Sequence, residues 1–74
     1  MNVIIALKGY KEFTMDEISE VIQSLNVQVN GIDYLHAVFY GIIEFKTSEN
    51  STITSDHPSI LSIQTFNLKR ELEL

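Results

Sequence analysis

The sequence predicts a small α+β domain, an antiparallel sheet with helix on one face. Three observations predict it. An apolar, β-branched run opens the chain at Val3–Leu7, and a strongly signalled helix follows from Thr14 to about Leu25. Strand-like runs then flank the Tyr40-Gly41 step, and a last apolar run starts at Ile60. The 74 residues make a single domain, 1–74, with 69–74 expected as a flexible tail. Such a sheet offers a recognition surface and leaves little room for an enzyme pocket.

Val3–Leu7 is continuously apolar, which predicts a central strand buried on both faces. Lys8 to Glu12 is a loop around Gly9. Thr14 then caps a helix, with Glu17 completing a capping box and Phe13 stapling onto Ile18. Asp16 and Glu17 suit the positive end of the helix dipole. Ile18, Val21, Ile22 and Leu25 form one apolar stripe, and Asn26 is a stop.

Val27-Gln28-Val29 alternates as a half-buried strand does. Asn30-Gly31 fits either a tight hairpin turn or a bulge within a strand continuing to about Tyr34; the bulge is preferred, because a hairpin would leave strands of three or four residues, and it puts the turn near Leu35 to Phe39. Gly41 to Lys46 is the next strand, with Ile43 and Phe45 on one side and Ile42 and Glu44 on the other. Thr47 to Ser55 is either a loop or a short, poor helix, because Thr52, Ile53 and Thr54 are β-branched. Asp56-His57-Pro58-Ser59 is a turn. The final strand starts at Ile60 and is expected to run through Phe66 towards Leu68. A phase shift between Ile63 and Phe66 predicts a bulge there or the end of regular pairing.

Hydrophobic residues make up 45 % of the chain, enough to fold, but a core this small needs good packing, oligomerisation or a partner. Cysteine is absent, so neither disulfides nor thiolate metal sites contribute. The net charge of -5 disfavours nonspecific binding to nucleic acid or anionic membranes. The N-terminus has an apolar run without a basic lead or a small-residue cleavage site, and no run reaches membrane-helix length. A cytoplasmic protein is expected.

Catalytic chemistry finds no support in the residue pattern. His36 and His57 are isolated, and Asp33 and Asp56 are merely their nearest acids in sequence. Zinc needs several His, Cys or carboxylate ligands at recognisable spacing, and Gly9, Gly31 and Gly41 are too far apart for a phosphate loop. No enzyme, metal or cofactor is expected. Tyr34, Phe39, Tyr40 and Phe45 crowd the middle of the chain, where core packing accounts for most of them and a stacking surface for bases is the sharper alternative.

Two resemblances sharpen the functional expectation. The strand Val3-Ile4-Ile5-Ala6-Leu7-Lys8 ends in lysine, an amphipathic helix follows, and Gly41-Ile42-Ile43-Glu44-Phe45 opens a strand with Gly and apolar residues. With the turn and strand from Asp56 to Ile63, the whole chain resembles the subtilisin-propeptide-like, or proteinase B inhibitor, family. That resemblance implies a ferredoxin-like fold, βαββ(α)β, complete if a second helix forms. It also implies a sheet that packs on a subtilisin-like serine protease and a C-terminal tail that enters its cleft. By position the tail is Leu68, Lys69, Arg70, Glu71, Leu72, Glu73 and Leu74. An extended tail of this kind adds backbone hydrogen bonds to an enzyme strand while its side chains fill pockets.

Locally, Phe39 to Phe45 resembles the third strand of RNA recognition motifs, which implies surface positions at Tyr40 and Ile42, with Ile4 beside them. A third reading is a small regulatory protein of phage type that binds a host protein or forms a homodimer through sheet edges. The leading expectation is therefore a non-catalytic protein-binding module with a protein partner. Its expected contacts are the tail together with Tyr40 and Ile42. Neither a nucleic acid nor a membrane is the favoured partner.

Overall fold

The structure, a computed structural model, describes residues 1–9, 11–48 and 52–66. Its elements run β1 (Asn2–Leu7), α1 (Met15–Gln23), α2 (Tyr34–Tyr40), β2 (Ile42–Lys46) and β3 (Ile60–Phe66). The three strands form one antiparallel sheet in the order β2-β1-β3. The α+β class expected from the sequence is the one observed.

β1 is central, as its apolar run predicts, but it is buried on one face only. Val3, Ile5 and Leu7 are buried, whereas Asn2, Ile4 and Ala6 are half-buried on the opposite face. The core gathers Val3, Ile5, Ile18, Val21, Ala37, Ile43 and Phe45 on the helical side of the sheet.

The start of α1 follows the sequence reading closely. Thr14 Oγ1 accepts from the Glu17 N–H at 3.0 Å, and a Glu17 carboxylate oxygen accepts from the Thr14 N–H at 3.0 Å. Phe13 and Ile18 are both buried, as a hydrophobic staple requires. The helix ends at Gln23, with Ser24 rather than Asn26 as its cap.

The segment after α1 departs from expectation. In place of a strand from Val27 to Tyr34 and a turn over Leu35 to Phe39, only Asn30 meets the sheet, in a single bridge to Lys46. Tyr34–Tyr40 is the helix α2. Its two ends explain why. Asp33 accepts from the His36 N–H at 3.1 Å, and Gly41, in the left-handed region at φ 65°, donates its N–H to the Ala37 carbonyl. Between these ends Ala37 is fully buried. End chemistry and burial outweigh the strand preference of Tyr, Val and Phe at these positions. The core order is thus βααββ rather than βαββ.

Residues 47–48 and 52–57 contain no helix. Ile53 is buried, and Asn26 brackets the extended chain around it. The Asn26 side chain donates to the Thr52 carbonyl at 2.9 Å and accepts from the Thr54 N–H at 2.8 Å. A ferredoxin-like arrangement has a helix between the last two strands and a full strand outside β2. Here extended chain stands in the first place among the described residues, and the Asn30 bridge in the second.

The sheet irregularity also differs from the reading. Pairing shifts between Ala6 and Leu7, which leaves Leu61 as the extra residue of β3, and regular pairing continues through Ile63 to Phe66. Phe66 breaks the apolar phase because it lies opposite Asn2 on the uncovered face. Leu68 lies outside the described residues.

Candidate functional site: the open face of the sheet

Strand alternation sends one set of side chains into the core and the other to a face that no helix covers among the described residues. Register places the open-face residues in rows across the strands. Ile42, Ala6 and Ser62 form one row, Glu44, Ile4 and Gln64 the next, and Lys46, Asn2 and Phe66 the third. Ile4, Ala6 and Ile42 are half-buried, while Glu44, Lys46, Ser62 and Gln64 are exposed. The face therefore has an apolar centre with polar and charged flanks.

At the end of this face lies a shallow concavity of about 770 Å³, lined by Asn2, Ile4, Asn30, Asp33, Lys46 and Phe66 among others. Ile4 and Phe66 contribute apolar surface, and Asp33, Glu44 and Lys46 supply charge around it. The shape suits an extended segment or a protruding side chain more than an enclosed small molecule.

Ile42 sits on the open face opposite Ala6, as the sequence implies. Tyr40 does not join it. It occupies the last turn of α2, 71 % exposed, with its ring 4.9 Å from that of His36. The two expected contact residues thus belong to different elements: the resemblance to RNA recognition motifs set Tyr40 on a strand surface, whereas α2 runs to Tyr40 and β2 starts at Ile42. The tail positions Leu68 to Leu74 lie outside the described residues. Sequence reasoning set Glu44 on the side of Ile42 but passed over Lys46, Gln64 and Phe66 as surface contributors. Their signal was the phase opposite to Ile43, Phe45 and Ile63.

His57 accepts from the Ser59 N–H through Nδ1 at 3.1 Å, and its own N–H donates to Ser55 Oγ at 3.1 Å, so it organises the turn before β3. His36 packs on Tyr40 in α2. No group of His, Cys, Asp and Glu able to hold a metal ion occurs among the described residues, and none of their helices is long and apolar enough to cross a membrane. The Glu17 carboxyl is held below its usual range by the Lys11 ammonium 2.7 Å away and by its capping bond to Thr14.

No protein-family model, no curated protein and no solved structure matches the chain.

Proposed function

We propose that this chain is a non-catalytic protein-binding module that receives its partner on the open face of the sheet. One observation carries the reading. Both described helices lie on one side, which leaves Ile4, Ala6, Ile42 and Phe66 on a surface uncovered among the described residues, with a concavity at its end. Exposed apolar surface rimmed by polar residues is the common form of a protein contact site. The net charge of -5 favours a partner with basic groups, and the absence of cysteine fits work in the reducing cytoplasm.

The leading specific partner is a subtilisin-like serine protease. β3 ends at Phe66 at the border of the open face, and Leu68 to Leu74 follow it in the sequence. Leu68 to Leu74 would then enter the cleft as a substrate does, with the sheet face as support. The RNA-binding reading required Tyr40 on the sheet surface. With Tyr40 on α2, that reading loses its stacking residue.

The test is a titration against a subtilisin, following hydrolysis of a chromogenic peptide. Saturable inhibition is expected, lost on truncation after Phe66 and weakened by Ile42→Glu, with both variants folded by circular dichroism. Equal inhibition by the truncated chain would remove the tail mechanism. No inhibition by folded protein would remove the protease as partner.

A further inference from the structure

The two borders of the sheet differ. β2 carries Glu44 and Lys46, and its outer edge meets the Asn30 bridge. β3 bonds to β1 alone, and among the described residues no strand pairs with its outer edge. Ile60–Phe66, with the sequence ILSIQTF, contains neither charge nor proline, the usual protections of an exposed edge. The bulge at Leu61 blunts one end and leaves Ser62–Phe66 regular. Thr65 lies on the helical side opposite Val3 yet is exposed, so the helical cover stops short of the end of β3.

Hydrogen-bond directions along β1 show which groups β3 leaves open. The Leu7 N–H donates to the Gly41 carbonyl, and Met1 and Thr47 exchange backbone bonds. Odd-numbered positions of β1 therefore face β2, and even-numbered positions face β3, as the bond from the Lys8 N–H to the Ser59 carbonyl also requires. Opposite Ala6, Ile4 and Asn2 stand Ser62, Gln64 and Phe66, whose backbone groups are turned inward. Ile63 and Thr65 consequently present their N–H and C=O groups outward, on either side of Gln64.

We propose that two copies of this chain pair antiparallel along β3, with the two-fold axis at Gln64, into one continuous sheet whose open faces lie on the same side. In this register Ile63 of each copy lies opposite Thr65 of the other as a hydrogen-bonded pair. Every outward backbone group of these two residues is then satisfied. Ser62 faces Phe66 of the second copy, and the Gln64 side chains meet as neutral amides able to bond each other. Charge favours a second copy over a basic peptide at this edge. β3 has no carboxylate to attract a cation, and two chains of net charge -5 approach with least repulsion where neither carries charge. The pairing is independent of the protease reading, since it uses the edge of the sheet and not its face.

The absence of cysteine makes a clean test available. Gln64 and Ser62 are both exposed, on the same strand and the same face. Across the axis, residue 64 meets its own copy as a non-hydrogen-bonded pair with Cα atoms about 4.5 Å apart, within disulfide reach. Residue 62 lies roughly 14 Å from its copy, at about 3.4 Å per residue, beyond that reach. Under mild oxidation Gln64→Cys is expected to form a covalent dimer and Ser62→Cys to remain monomeric.

Sedimentation of the unaltered chain is expected to show a dimer fraction that rises with concentration. Thr65→Pro removes an outward N–H without touching a bond to β1, and is expected to abolish both the dimer and the Gln64→Cys cross-link. Circular dichroism and thermal melts establish that each variant is folded. An unaltered chain that stays monomeric at the highest accessible concentration would overturn the proposal. So would cross-linking of Ser62→Cys as readily as Gln64→Cys.

Discussion

Gly41 lies directly against the ring of Phe13: a Cβ added to the glycine would stand 2.9 Å from the Phe13 Cε2. The contact joins the end of α2 to the residue that staples α1, so one backbone position governs how both helices sit on the sheet. Gly41 also has φ 65°, a conformation that an L side chain enters at a cost.

Gly41→Ala is therefore expected to destabilise the fold by about 2–5 kcal/mol, combining backbone strain of ~1–2 kcal/mol with overpacking of ~1–3 kcal/mol. Gly31 has φ 69° but open space around the added methyl. Gly31→Ala should cost only the backbone part, about 1–2 kcal/mol. Urea denaturation of the two variants separates strain from contact, and equal losses would show that Phe13 moves aside freely.

Glu17 links stability to pH. Its carboxyl is held below the usual range by Lys11 and by the Thr14 cap, so the folded state binds its proton less readily than the unfolded chain. The resulting stabilisation is present above the ordinary glutamate pKa and is lost as pH falls through the lowered value. The stability difference between the unaltered chain and Glu17→Gln should thus be fully present at neutral pH and shrink on acidification. Melts over an acid pH series check the sign, and a difference that grows on acidification would refute it.

Asn26 is expected to hold the 52–54 segment in place. Asn26→Ala removes both side-chain bonds to Thr52 and Thr54 and should cost about 1–2 kcal/mol, near the net worth of such bonds. Faster hydrogen exchange at the Thr54 amide, with α1 amides unchanged, is the diagnostic readout. If exchange at Thr54 is unaltered, burial of Ile53 alone holds the segment.

Ile4 and Ile5 are neighbours that test the two faces of the sheet. Ile5 is fully buried on the helical side, and Ile5→Val should cost about 0.5–1.5 kcal/mol. Ile4 is half-buried on the open face, and Ile4→Val should stay within ~0.5 kcal/mol. A cost for Ile4 equal to that for Ile5 in the isolated protein would mean that the open face is covered.

Legibility in the sequence followed the range of the forces involved. α1 was readable because its signals are local: Thr14 and Glu17 are three residues apart, and the stripe from Ile18 to Leu25 lies within one helix. β2 was readable from alternation, and β3 from the apolar run that follows the Asp56–Ser59 turn. α2 was missed because Tyr34, Val38, Phe39 and Tyr40 favour strands. The decisive partners, the Asp33 cap, the Gly41 closure and the burial of Ala37, count only once the chain is folded. Asp33 with Gly41 eight positions later was a usable signal. The open face was half legible: alternation placed Ile42 correctly, whereas the resemblance that set Tyr40 beside it took no account of the helix ending there.

The central position of β1 governs the order in which the molecule can assemble. The first strand to be synthesised is flanked on one side by the last strand of the sheet, so its hydrogen bonds cannot all form until residues 60–66 are available. The capped helices can form locally and early, whereas the β1–β3 ladder must close the longest loop in the domain. Folding should therefore be gated by the arrival of β3. A chain interrupted before Ile60 would hold its helices against a two-stranded ribbon with the backbone groups of Asn2, Ile4 and Ala6 open along one edge, a template for the wrong neighbour.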